Sequence, residues 1–220
     1  TAFLGVLFEM INGRSRNRDE RRRFCLMAAL AAHFDDLSDF PGSGGAVMKN
    51  YAHPADPAAK ARKLLEQVEN DLPKANKTLF YECLNTVYRI ETESRQTGDV
   101  GLDAETLATL TSEKGANSVL LFRCLLDWPV SEAEKQALWA FGSLLQRCDD
   151  TFDVWFDRQS QTQTLATFWL NQNNPEALAA DYTFAIKTTH FNFKNLPFSP
   201  FRRAMAWNTA ATIAAIGKVC

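Results

Sequence analysis

The stretch Ser131–Asp153, SEAEKQALWAFGSLLQRCDDTFD, decides the fold class. Ser131 with Glu134 three residues on is a capping-box start for a helix. Ala137, Leu138, Phe141, Leu144 and Leu145 then recur at the three-four spacing of one buried helical face. The stretch ends in Asp149-Asp150-Thr151-Phe152-Asp153, and the pattern predicts a helix reaching as far as Phe156. The same rhythm continues outward in both directions. Phe24, Met27, Ala28, Ala31 and Phe34 predict a helix over Arg18–Phe40, and Phe80, Leu84, Val87 and Ile90 another over Lys77–Arg95. Asp103 opens a shorter helix, and Pro200 opens the last, which carries Met205, Trp207, Ile213 and Ile216. The chain starts inside an apolar helical pattern (Phe3, Leu4, Leu7, Phe8, Ile11) without an initiator Met, so native residues are expected before Thr1. Breaks fall at Pro41–Gly45, which continues towards Pro54 and Pro57, at Gln96–Asp99 and at Asn171–Pro175. No run of β-branched alternation is long enough to anchor a sheet. No repeat of solenoid period is present. The expectation is an all-α, single-domain helical bundle over residues 1–220.

Composition agrees and narrows the function. The chain has 220 residues, 46% of them hydrophobic, which is material for one substantial core. Its 24 basic and 26 acidic side chains nearly cancel, so no basic excess points to nucleic acid. Ten Gly and 8 Pro are too few for a fibrous or low-complexity chain. No apolar run reaches the roughly 18 residues that a membrane span needs. The cysteines (Cys25, Cys83, Cys124, Cys148, Cys220) are scattered and form no C-x-x-C, so free thiols in a reducing, cytoplasmic setting are expected.

Two clusters carry the chemistry. Asp35-Asp36-Leu37-Ser38-Asp39 and Asp149-Asp150-Thr151-Phe152-Asp153 share the pattern D-D-x-x-D. With 14 Asp in the chain, roughly 0.06 matches would arise by chance. On a helix Asp35 and Asp39 lie one turn apart, and Asp149, Asp153 and Asp157 form a longer ladder. Like charges at that spacing destabilise a helix unless a cation compensates them. Both clusters interrupt apolar helices, whereas a merely solvated face would mix in Lys and Arg. Carboxylates without neighbouring His or Cys select hard cations, Mg²⁺ or Mn²⁺ ahead of zinc. The Glu-x-x-His of di-iron bundles is missing around His33, His53 and His190. Mg²⁺ held by carboxylates commonly completes its shell with substrate phosphates, so two facing acidic helices could clamp a diphosphate. Asp157 reads equally as an outer metal-shell residue or a solvated charge, and Cys148 as a small buried residue.

These residues resemble the class I isoprenoid synthase superfamily, and more narrowly its trans-prenyltransferase branch of polyprenyl diphosphate synthase-like enzymes. Glu113–Phe122 resembles that branch's K-T-(small)-(small)-L-F segment. Phe141-Gly142-Ser143-Leu144-Leu145-Gln146 followed by Asp149, Asp150 and Asp153 resembles its F-G-x-x-x-x-Q-x-x-D-D-x-x-D helix. The likeness covers Phe24–Asp39 and Leu107–Thr167, and the wording also resembles a bacterial set described only as class I isoprenoid biosynthesis enzymes. It implies a terpenoid-synthase bundle with a central cavity and three Mg²⁺ ions bridging an allylic prenyl diphosphate to the aspartates. Asp35, Asp36 and Asp39 would form the first metal site, and Asp149, Asp150 and Asp153 the second. Lys114 would hold a diphosphate oxygen, and Gln146 would face the cavity. Phe34, Phe80 and Phe122 would wall it, and Arg202 and Arg203 would close over the diphosphate. A homodimer is implied as well.

The sequence also departs from the pattern. An elongating prenyltransferase has Arg-Arg-Gly after its first motif, where this chain has Phe40-Pro41-Gly42-Ser43-Gly44-Gly45. The upstream Gly-Lys-x-x-Arg is absent too; Arg14, Arg16, Arg18 and Arg21 to Arg23 read instead as a solvated helix face. The isopentenyl diphosphate site is thus the open one, and three readings stand side by side. They are prenyl transfer, cyclisation of a single prenyl diphosphate by a terpene synthase, and a non-catalytic partner subunit that keeps the fold.

Overall fold

The computed structural model describes the backbone of residues 2–38, 57–96 and 101–217. The side chains of 33–38, 57–59 and 92–96, and of 2, 213, 214, 216 and 217 near the ends, lie outside the description. Among the described residues all regular structure is helical. In order these are α1 (Ala2–Asn12), α2 (Arg18–Ser38), α3 (Pro57–Asn70), a 3-10 turn (Lys74–Asn76), α4 (Lys77–Gln96), α5 (Ala104–Arg123), α6 (Glu132–Phe152), α7 (Val154–Ser160), α8 (Leu165–Asn171), α9 (Pro175–Lys194) and α10 (Pro200–Gly217). No described helix is long and apolar enough to cross a membrane.

Local signals set most of these boundaries. The Asp103 carboxylate accepts the Thr106 N–H at 2.8 Å and starts α5. The Ser131 hydroxyl accepts the Glu134 N–H at 3.2 Å and starts α6. Only that half of the expected capping box forms, because the Glu134 carboxylate turns inward to Arg123 at 2.6 and 2.9 Å. The sequence reading delimits neither α3, which begins within the stretch assigned to a loop, nor α9, which begins at the Pro175 of an expected connection. Asn174 caps α9, accepting from the Ala177 N–H at 3.1 Å, and Pro175 fills the first helical position where no N–H is needed.

α5 and α6 form the central antiparallel pair, flanked by α4 on one side and α9 on the other. Their apolar faces carry Leu120, Leu138 and Phe141, all fully buried. Phe122, an expected cavity wall, packs with its ring centroid 5.6 Å from that of Phe24, and Phe80 is fully buried with its ring against Tyr81. Both belong to the general core.

One end of the bundle is closed by buried polar groups. Arg123, fully buried, donates to Glu134 and to the carbonyls of Trp128 at 3.1 Å and Pro129 at 3.3 Å. The Asn76 amide donates to the carbonyls of Cys124 (3.2 Å), Leu126 (2.8 Å) and Trp128 (3.0 Å). Arg23 pairs with Asp127 and donates to the Leu125 carbonyl at 2.7 Å. The N-terminal arginines are thus a solvated face only in part, since Arg23 is buried and several of the others are ion-paired. Arg14 pairs with the buried Glu20 at 2.6 Å, Arg16 with Glu9 at 2.9 Å and Arg22 with Asp71 at 2.5 Å. Arg14, Arg18, Arg21 and Arg22 are exposed as expected, Arg16 is half-buried, and Arg23 is buried.

Candidate active site

The second aspartate cluster sits at the other end of the bundle, in the last turn of α6. Its position follows from a close crossing of α5 on α6. Gly115 and Gly142 are both buried, and a Cβ on Gly115 would collide with the Gly142 carbonyl and the Gln146 side chain. A Cβ on Gly142 would collide in turn with the Gly115 carbonyl. With no side chain at either position the two backbones touch. Thr111 and Lys114 on α5 are thereby set against Gln146, Asp149 and Asp150 on α6.

Hydrogen bonds organise this corner. The Gln146 amide donates to both carboxylates, at 2.9 Å to Asp150 and 3.2 Å to Asp149. The Thr111 hydroxyl donates to the other oxygen of Asp150 at 3.2 Å. Lys114 is ion-paired with Glu91 of α4 at 2.8 Å, next to a second α4–α5 pair, Arg89 with Glu113 at 3.0 Å. Behind the cluster Arg147 clamps α6 to α9 and α5. It reaches Asp181 at 2.6 Å, the Ser143 hydroxyl at 2.6 Å and the Ser112 hydroxyl at 3.0 Å.

The electrostatics are those of under-compensated negative charge. Burial pushes the Asp150 carboxyl up to about 6, against smaller opposing effects of Gln146, Lys114 and Thr111. Asp149 is raised by burial and by the nearby charge of Asp153. Asp157, half-buried and accepting from the Thr164 side chain, is raised chiefly by burial. For Lys114 burial works downward, but Glu91, then Asp150 and Asp149, outweigh it and the net direction is up. The cluster also occupies the negative end of the α6 dipole, with no basic residue in the final turn.

The helix stops earlier than expected. The expected run to Phe156 breaks at Asp153 (φ −88°, ψ 1°), where α7 begins on a new axis. The expected Asp149–Asp153–Asp157 ladder is therefore bent at its middle rung. Trp155 and Phe156, at 61% and 63% exposed, face solvent from α7.

The first cluster is legible only through its backbone. Asp35 and Asp36 lie in the last turn of α2. The side chains of Phe34, Asp35 and Asp36, and all of Asp39, fall outside the described residues. Phe24, Met27 and Leu30 keep α2 on the core, and Asp35 lies 11 residues past Phe24, or about 17 Å of helix rise. Thr111 lies the same distance back along α5 from Phe122, the partner of Phe24. Thr111 and the Asp149–Asp150 corner share one end of the bundle.

Arg202 and Arg203 do not. Arg202 donates to the carbonyls of Met10 and Ile11 at the end of α1, and Arg203 to the Lys194 carbonyl at 2.6 Å. Asn12 in that region reaches Glu134 at 3.4 Å, and Glu134 lies about 24 Å along α6 from Asp150. The two arginines cap helices at the far end.

Comparison with family models, with curated proteins and with solved structures finds no match. The site therefore rests on its own chemistry. Hard oxygen donors, raised carboxyl pKa values and a helix C-terminus without a cation fit Mg²⁺ or Mn²⁺. Asp149 and Asp150 would hold such an ion from α6. No three acidic, His or Cys side chains form a finished cage among the described residues. A groove of about 440 Å³ lies on the outer α6–α9 face, lined by Trp139, Phe184, Ser143 and Arg147 and by no aspartate of either cluster.

Sequence reasoning missed Thr111, Glu91 and the Arg147–Asp181 clamp. Thr111 could have been found, since it lies one turn before Lys114 on the same face. Glu91 and Asp181 carry no local signal.

The glycine crossing yields a test of its own. By helix propensity Gly115→Ala should stabilise α5 by about 1 kcal/mol. The added methyl meets backbone that has no room to yield, and overpacking of this kind costs about 1–3 kcal/mol. A net loss of stability is expected in urea unfolding. A gain would show that the crossing is looser than described.

Proposed function

We propose that this protein binds a divalent cation at the Asp149–Asp150 corner and ionises an allylic prenyl diphosphate there, with transfer of the prenyl group to a second substrate as the following step. What supports the reading is the Gly115–Gly142 crossing, which sets Lys114 beside two carboxylates bridged by Gln146. Mg²⁺, when bound, supplies positive charge to a departing diphosphate.

The chain's own residues do the rest. Asp149 and Asp150 provide the anionic donors, and Gln146 fixes both carboxylates through one amide. Lys114 supplies a point charge for a diphosphate oxygen. The C1–O bond breaks heterolytically, with the electron pair leaving on the diphosphate. In prenyl transfer the allylic carbon then bonds to the acceptor alkene, which loses a proton. Missing Arg-Arg-Gly and Gly-Lys-x-x-Arg motifs favour a second reading, cyclisation of a single substrate.

The test is a Mg²⁺-dependent product assay on geranyl, farnesyl and geranylgeranyl diphosphates, with and without isopentenyl diphosphate. Longer diphosphates formed only with isopentenyl diphosphate support transfer. A hydrocarbon or alcohol from one substrate supports cyclisation. Failure to release pyrophosphate under any of these conditions overturns both and leaves a non-catalytic member of the fold.

A further inference from the structure

We propose that Glu91 is a positioning residue that holds the Lys114 ammonium on the α4 side of the site and so keeps Asp149 and Asp150 available to a divalent cation. The inference rests on the reading of that corner as a cation site. A lysine is a flexible point charge with no geometry of its own to fix it. Lys114 lies within electrostatic reach of Glu91 on one side and of Asp150, Asp149 and Asp157 on the other. Among the described residues only Glu91 pairs with it, at 2.8 Å.

The surrounding structure keeps that choice in place. Gly115, the next residue, is locked against Gly142, so the lysine has no means of leaving the aspartates by a separation of α5 from α6. Arg89 and Glu113 pair at 3.0 Å across the same α4–α5 seam, with the charges in the opposite order. Two consecutive residues of α5 are thus tied to two residues of α4. Without Glu91 the ammonium is left to the aspartates of α6 and α7, and its swing towards Asp149 and Asp150 would neutralise the donors a cation needs.

Mn²⁺ affinity measured by titration calorimetry, without substrate, reads this directly. Glu91→Gln is expected to weaken Mn²⁺ binding about tenfold, the scale on which partners of metal ligands act. Glu91→Gln combined with Lys114→Met should restore affinity to the wild-type level, because the competing ammonium is gone. Glu91→Asp should retain most of it. A pair that merely ties α4 to α5 predicts otherwise: Glu91→Gln would lower Tm, leave Mn²⁺ affinity unchanged and gain nothing from Lys114→Met. That outcome, or tighter binding by Glu91→Gln, overturns the proposal. Absence of Mn²⁺ binding by the wild type overturns the cation-site reading first, and the proposal with it.

Discussion

Asp150→Asn is expected to make the metal-free protein more stable while removing the divalent-ion binding proposed for this corner. The carboxyl is buried and its pKa stands at about 6 against an ordinary 3.8. An acid with a raised folded pKa binds its proton more tightly in the native state than in the unfolded one. Its ionised form therefore costs stability above about pH 6, and the cost is relieved as pH falls from there towards the ordinary value. A shift of this size corresponds to a penalty on the order of 2–3 kcal/mol at neutral pH. Asparagine removes the charge, keeps an oxygen for Gln146 to donate to, and changes the volume little. For a chain of this length a rise of about 4 °C or more in Tm is expected at pH 7, shrinking towards pH 4. Loss of a direct ligand should cost more than the 10–100-fold typical of a supporting partner, so a fall of at least about 100-fold in Mg²⁺-dependent pyrophosphate release accompanies it. In the wild type, Mn²⁺ affinity should decline as pH falls through 6, since the proton competes for the same oxygens. A lower Tm for Asp150→Asn would mean that Asp150 is an ordinary structural acceptor, and the cation-site reading would lose its main support.

Such opposition between stability and function is what local sequence rules detect indirectly. Two D-D-x-x-D patterns stand out because they violate the expectation that acids avoid helix C-termini and apolar faces. Helix starts at Asp103, Ser131 and Pro200 were legible for a related reason: a cap is a contact between neighbours in sequence. The features that went unread depend on contacts distant in sequence. Glu134 is both a cap-box residue and the partner of Arg123, and only the fold shows that the second role takes its carboxylate. Arg202 and Arg203 have the charge to close a diphosphate site, but α10 starts at the wrong end of the bundle for it. Gly115 and Gly142 look like weak helix positions until the chain is folded and they prove to be where two backbones touch. The break at Asp153 was hidden because the hydrophobic pattern continues through Trp155 and Phe156, although α7 buries neither.

At the opposite end, Arg123→Met should produce the largest loss of stability of any single change considered. Arg123 is fully buried, and Glu134 is 2% exposed. Removing the guanidinium leaves that carboxylate with an Asn12 amide at 3.4 Å as its one other side-chain partner. It also takes the donor from the Pro129 carbonyl and leaves the Trp128 carbonyl to the Asn76 amide alone. Breaking a buried ion pair from one side costs about 3–5 kcal/mol, which is a large part of the 5–15 kcal/mol typical of a whole domain. The double change Arg123→Met, Glu134→Leu should recover much of the loss, because burying two ions carries its own desolvation cost. Urea unfolding of the two variants measures the difference. Equal losses would mean that the carbonyl contacts, not the ion pair, hold this end together. Because the pair lies about 24 Å along α6 from Asp150, the double variant should keep wild-type Mn²⁺ affinity. Stability and ion binding would then separate along one helix, with the polar plug fixing where α6 begins and the glycine crossing fixing what its far end can hold.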